Sequence, residues 1–177
     1  MGALHAGHLQ LVERAKDTGY EAILVTVDLA VSGKRERDPR NGFHTPYSPN
    51  WRNSRDVVFK PAWALDMLRN GLPGMANLVG YPFTTPAGTD IVTAVGREMD
   101  ASLDWEYIKQ LRDRWPGKLL LKGVQRADDA ERAASIGCDG VVVSNHGGRQ
   151  LDGVPSSASV LPGIADAVGD QLTVLAD

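Results

Sequence analysis

In "GVVVSNHGGRQLDG", residues 140–153, a run of valines gives way at once to Ser144, His146, two glycines and Arg149. Imidazole titrates near neutral pH, so His146 is suited to take a proton as a general base. Arg149, three residues on, offers a two-pronged guanidinium that can clamp a carboxylate. Gly147 and Gly148 allow the tight turn that presents both groups together. Three other aliphatic runs end the same way: "YEAILVTVD" at Asp28, "GKLLLKGV" with Lys122, and "QLTVLAD" at Asp177. The chemistry that suits these groups is proton transfer on a small, carboxylate-bearing molecule. A lone histidine after a strand is more often a backbone cap, and a lone Lys122 or Asp28 an ordinary solvated strand end. The case rests on the set.

Positioning these groups falls to the four aliphatic runs, which are continuous rather than alternating, as in parallel strands covered on both faces. Helical patterns lie between them. "HLQLVERAKDTG" carries Leu9, Val12 and Lys16 at helical spacing, and "LDWEYIKQLRDRWPG" places Leu103, Tyr107 and Leu111 on one stripe before Pro116 and Gly117. "RADDAERAASIG" and "SSASVLPGIADAVG" complete the set, each closing at a glycine. Strands alternating with helices imply βα units, and the polar groups then share the carboxyl ends of the strands, where a (β/α)8 TIM barrel keeps its active site. Such a barrel takes roughly 250 residues. This chain has 177 and four candidate strands, so it reads as part of a larger barrel. Residues 29–102 break the rhythm with a long, proline-rich and charged segment, expected to be a loop or insertion within one incomplete domain spanning 1–177. "PAWALDMLRNG" is a helical piece inside it.

Bulk properties narrow the partners. A net charge of -3 gives no general attraction to nucleic acid. The single cysteine, Cys138, cannot form an internal disulfide and is expected to pack rather than react. No signal-peptide pattern and no apolar run of transmembrane length is present, so the default location is the cytoplasm.

With these residues in view, "VVVSNHGGRQLDG" resembles the signature of the FMN-dependent L-2-hydroxy acid oxidases and dehydrogenases. "VTVDLAVSGKRERD", "LLLKGV" and "LTVLAD" resemble the flanking motifs of that family in the same order. The resemblance implies strands four to seven of the barrel, with a long loop after strand four. Some segments look most like the (S)-mandelate dehydrogenases and others equally like bacterial L-lactate dehydrogenases. It further implies oxidation of an L-2-hydroxy acid to the 2-oxo acid with reduction of FMN, and a quinone or oxygen as electron acceptor. By the same resemblance His146 is the base and a substrate ligand, and Asp28 hydrogen-bonds it and stabilises its protonated form. Arg149 and Arg35 are substrate-side cations. Lys122 lies near the flavin N1–C2 carbonyl, Thr26 and Ser144 hydrogen-bond FMN, and Asp177 holds its ribityl hydroxyls. Relatives commonly assemble as homo-oligomers.

Upstream strands and a downstream glycine-arginine segment of the family pattern are not in this sequence, so the chain by itself is expected to bind flavin poorly and to lack activity. The long segment "WALDMLRNGLPGMANLVGYPF" suits peripheral attachment to the cytoplasmic face of a membrane about as well as packing against the barrel. Two other readings stand beside this one. "MGALHAGHLQLVERAK" resembles the H-x-G-H segment of pantothenate synthetases, ATP-dependent ligases in which His5 and His8 would receive phosphate at a helix N-terminus. That motif follows a strand and nothing later in the chain supports it, so a helix start with two exposed histidines is the plainer reading. The last is a non-catalytic barrel remnant that self-associates through open sheet edges.

Overall fold

The structure, a computed structural model, describes residues 6–29, 36–42, 51–71 and 103–177. The chain divides into two compact units, Met1–Lys34 with Asp100–Asp177, and Arg35–Met99.

The first unit is built on four parallel strands in the order β1-β2-β3-β4: Ala22–Thr26, Lys118–Val124, Gly140–Val143 and Thr173–Ala176. Helix α1, Ala6–Asp17, precedes β1, and the helices α5 (Trp105–Arg114), α6 (Ala127–Ile136) and α7 (Ser157–Val168) precede β2, β3 and β4. This is the βα alternation that the aliphatic runs imply. The helix boundaries have local causes. Asp104 caps α5 by accepting from the Tyr107 amide at 2.8 Å, and Gly137 ends α6 in a left-handed conformation.

Successive strand residues point to opposite faces, so each strand sorts its own side chains. On one face Leu119, Leu121, Val141 and Val143 are buried with Ile108 and Leu111 of α5, Ala130 and Ala133 of α6, and Ile164 and Val168 of α7. The alanines lack the bulk to hold α6 away from the sheet. On the other face, which these helices do not cover, Leu24 is 52% exposed and Leu175 45% exposed.

A polar knot ties the amino ends of β2 and β3. Asp139 accepts from Arg112 Nη1 at 2.9 Å, Lys118 Nζ at 2.8 Å and the Leu119 amide at 3.0 Å. Arg112 also donates to the carbonyls of Trp115 and, at 2.7 Å, Gly117. Partial burial opposes ionisation of Asp139, but these donors outweigh it and hold its carboxyl below the usual range. Next to it, burial pushes the Cys138 thiol up to about 11, so it is protonated at neutral pH and packs as a small apolar group.

The second unit contains the short helix α2, Arg37–Arg40, and the helices α3, Trp51–Val58, and α4, Pro61–Asn70. Helix α4 is the helical piece expected from "PAWALDMLRNG". Helix α3 is not read from the sequence, where its polar residues merge with the charged run before it. Its local support includes the Arg55 guanidinium 5.8 Å from the ring of Trp51, one turn away.

Asp139→Asn is expected to destabilise the fold by about 2 kcal/mol, the loss of hydrogen bonds to a charged acceptor. Because its folded-state pKa is depressed, the contribution of Asp139 is complete above about pH 4, the unfolded value, and is lost as pH falls through the lower folded value. Thermal melts from pH 7 into acid check this. The gap between wild type and variant should close in acid, and a gap independent of pH would refute a role for the ionised carboxylate.

Candidate active site

At the carboxyl edge of the sheet the same alternation brings the polar groups to the helix-free face. Leu121 and Val143 face the helices, so Lys122 and Ser144, their successors, face away. Thr26 pairs in register with Lys122, and Lys122 with Val142. Asp28 lies two residues past Thr26, and Asp177 follows β4 directly.

The pairing of β2 with β3 is interrupted here. Lys122 is opposite Val142 but Val124 is opposite Val143, so Gly123 is an extra residue in a bulge. Its φ of +101° suits glycine. The insertion lets Val124, 3% exposed, return to the helix-packed core while Lys122 stays on the opposite face.

Two polar groups form across this edge. His146 Nδ1 lies 2.6 Å from Asp28 Oδ2, with both side chains mostly shielded from solvent. The other ring nitrogen, Nε2, has no hydrogen-bond partner among the described residues. Beside it, Lys122 Nζ donates to Ser144 Oγ at 2.7 Å and to Asp177 Oδ2. Ser144, fully buried, also accepts the His146 amide at 3.2 Å. The hydrogen bond from Lys122, reinforced by the Ser144 hydroxyl, holds the Asp177 carboxyl below the usual carboxylate range.

The turn that carries the histidine is left-handed at three successive residues, with φ of +52° at His146, +62° at Gly147 and +70° at Gly148. The glycines adopt this freely. A histidine adopts it less often, and here surrounding contacts hold the conformation. Those contacts are the Asp28 carboxylate on the ring and Ser144 Oγ on the amide. The loop beyond is anchored by the Pro155 carbonyl, which accepts from Gln125 at 3.0 Å and from Asn145 at 3.1 Å.

The structure therefore brings Asp28 to His146, and Lys122 to Ser144 and Asp177. Thr26 is level with Lys122 on the neighbouring strand. Arg149 follows the turn, its amide donating to the His146 carbonyl at 3.2 Å and its side chain exposed. Arg35, His5 and the side chain of His8 lie outside the described residues. Sequence reading passes over Gly123, Gln125 and Asn145. For Gly123 the signal was available, since a glycine inside an aliphatic strand pattern marks a bulge or a close approach. The partnership of Gln125 and Asn145 on one distant carbonyl has no local signature.

Comparison with known proteins bears on the whole arrangement. Over 168 residues the chain is 48% identical to an L-lactate dehydrogenase of Caulobacter sp. (strain K31), a match covering 94% of this chain and 44% of that protein. Over 152 residues it is 44% identical to an (S)-mandelate dehydrogenase of Pseudomonas putida, covering 85% of this chain and 38% of that protein. A crystal structure of a monotopic membrane protein, (S)-mandelate dehydrogenase, superposes on 98% of this chain with a TM-score of 0.85 at 40% identity, the match taking in 45% of that chain. The chain thus spans less than half the length of these relatives, and its four βα strands are part of a TIM barrel. Residues 5–177 match the FMN-dependent dehydrogenase family, a span that takes in the segment with His5 and His8 and leaves the ligase resemblance without support. The chain belongs to the FMN-dependent dehydrogenase family.

Proposed function

We propose that this chain carries the catalytic edge of an enzyme that oxidises an L-2-hydroxy acid, mandelate or lactate, to the 2-oxo acid with reduction of FMN. In this reading residues 1–177 are one incomplete catalytic domain and 29–102 an insertion in it. The observation that carries the reading is the 2.6 Å contact of His146 Nδ1 with Asp28, which leaves Nε2 without a partner among the described residues.

Oxidation of a hydroxy acid removes two protons and two electrons, so a base is required. Asp28 accepts from Nδ1–H and thereby fixes the tautomer in which Nε2 is the free base. Once Nε2 takes a substrate proton, the carboxylate stabilises the imidazolium. Arg149, exposed and without a carboxylate partner among the described residues, is placed to hold the substrate carboxylate. The donor set fits a flavin. Lys122 offers a cation and Thr26 a hydroxyl on the helix-free face, the fully buried Ser144 braces Lys122 from below, and Asp177 offers a carboxylate to a polyhydroxy chain. A bound FMN would supply the acceptor for the electron pair and the second proton. Lys122 would face its carbonyl edge, where a fixed positive charge favours the reduced ring.

A second observation concerns attachment. On α3, α4 and the link between them, Trp51, Val58, Phe59, Trp63 and Leu68 are exposed, and α4 buries none of its residues. Arg55, Lys60 and Arg69 are interspersed with them. Aromatic and aliphatic groups mixed with cations suit the interfacial zone of an anionic bilayer. Among the described residues no helix is long and apolar enough to cross a membrane. A structural relative described as monotopic supports peripheral attachment, which in our reading runs through this unit and on the cytoplasmic face. The electron acceptor is then a quinone in that bilayer or oxygen, and the assembly a homo-oligomer.

With the remaining barrel strands supplied in one polypeptide, L-mandelate or L-lactate should bleach the flavin under nitrogen, and the acid that does so names the substrate. His146→Gln should slow bleaching by about 10²- to 10⁴-fold, and an unchanged rate would overturn its assignment as base. The 177-residue chain alone should quench little FMN fluorescence on titration.

For attachment, the full chain should float with vesicles containing anionic lipid. Trp63→Glu with Leu68→Glu should leave it in the soluble fraction, and undiminished flotation would exclude this surface.

A further inference from the structure

The dyad joins strands that are not neighbours. Asp28 follows β1 and His146 follows β3, and β2 lies between them in the sheet. Adjacent strands are about 4.8 Å apart, so β1 and β3 are separated by roughly 10 Å. The Asp28 side chain must therefore cross the end of β2 to reach the imidazole. The residue at the crossing point is Gly123. A Cβ on Gly123 would lie 2.4 Å from Asp28 Cγ, 2.6 Å from its Oδ1 and 2.7 Å from its Cβ. Real carbon atoms do not approach so closely, and these neighbours are the short Asp28 side chain itself rather than the tip of a long, yielding one.

Hydrogen bonding engages only one of the two carboxylate oxygens. Asp28 Oδ1 is buried and has no hydrogen-bond partner among the described residues. The backbone on either side is fixed: the Val27 amide donates to the Lys122 carbonyl at 2.9 Å, and the bulge fixes Gly123 at φ +101°. Asp28 thus enters from an anchored strand end and has one oxygen on His146, while its other oxygen rests over a glycine.

We propose that Gly123 is a positioning residue for the dyad, its missing side chain forming the seat over which Asp28 crosses β2 to reach His146. The bulge then serves two purposes. It restores Val124 to the core, and it puts a residue without a Cβ under the carboxylate. Gly123 has no side chain to offer a substrate or cofactor, and the effect assigned to it passes through the orientation of Asp28. This deepens the functional reading, resting on His146 as the base, but it makes a claim about geometry that can be read without turnover.

The test uses the full chain labelled with ¹⁵N. The proton on His146 Nδ1, held against Asp28, gives a downfield resonance coupled to the ring nitrogen. It should be present in wild type and absent from Asp28→Ala. Gly123→Ala should lose it as Asp28→Ala does, because the methyl displaces the carboxylate. If Gly123→Ala folds and keeps the resonance at its wild-type position, the proposal is overturned. If that variant does not fold, the double variant Gly123→Ala with Asp28→Ala decides, since truncating Asp28 removes the atoms the methyl would meet. A double variant that folds where the single does not supports the seat. A double variant that also fails shows that the left-handed backbone alone demands glycine, and overturns it. Failure of the functional reading looks different: the resonance behaves as expected in every variant, yet no hydroxy acid bleaches the flavin in the completed barrel.

Discussion

Parallel pairing sends all four carboxyl strand ends to one edge of the sheet, and strict alternation decides which side chains there face away from the helices. The arrangement of polar groups follows from these two facts. Thr26, Lys122 and Ser144 occupy the alternate positions of their strands that the helix-packed core leaves over, and Asp28 and Asp177 continue the same phase. A one-residue slip of any strand would exchange a charged group for a core aliphatic, which costs both a buried contact and a desolvated charge. The hydrophobic core therefore enforces the position of the polar edge. The bulge at Gly123 is the one local departure, and it keeps both sets of side chains in phase where β2 ends.

The two ends of the sheet handle charge differently. At the amino end every oxygen of Asp139 is engaged by Arg112, Lys118 or a backbone amide, and the cluster closes on itself. At the carboxyl end the polar groups are only partly matched. Among the described residues, His146 Nε2 and the Arg149 side chain have no partner and Asp28 Oδ1 is buried without one, and His146 sits in a left-handed conformation that histidine adopts uncommonly. A stability-driven surface would not leave such groups in that state, whereas a site that must meet another molecule has to. The contrast between a closed knot and an open edge is the physical ground for placing chemistry at the second.

Much of this was legible in the sequence because the signals are local. A continuous aliphatic run marks a buried parallel strand, and the first polar residue after it marks the carboxyl edge. That is enough to single out Asp28, Lys122, Ser144, His146 and Asp177. Glycines after α5 and α6 mark their ends in the same way. What escaped was relational. Asp28 and Gly123 are 95 positions apart, and no local pattern states that one carboxylate lies over the other's α-carbon. The strain at His146 was equally hidden, since the adjacent glycines explain a tight turn without requiring their neighbour to share it. Helix α3 was obscured by composition: its polar residues continue the charged run before it, and amphipathic spacing is hard to separate from a solvated loop over eight residues.

The parts of the site differ in what they require from the rest of a barrel. The His146–Asp28 dyad is complete within β1, β2 and β3, each anchored to the next by backbone hydrogen bonds. The face beside it is another matter, because Leu24 and Leu175 there are about half exposed. Apolar burial contributes about 25 cal/mol per Å², so this face gains stability from whatever apolar surface is laid against it. Lys122 and the paired Thr26 border this face, so a molecule laid on it would meet an aliphatic surface with a polar margin. The dyad and the open face beside it are therefore separable structures. The first is a local contact between three strand ends, and the second a shared surface that four strands only begin to enclose.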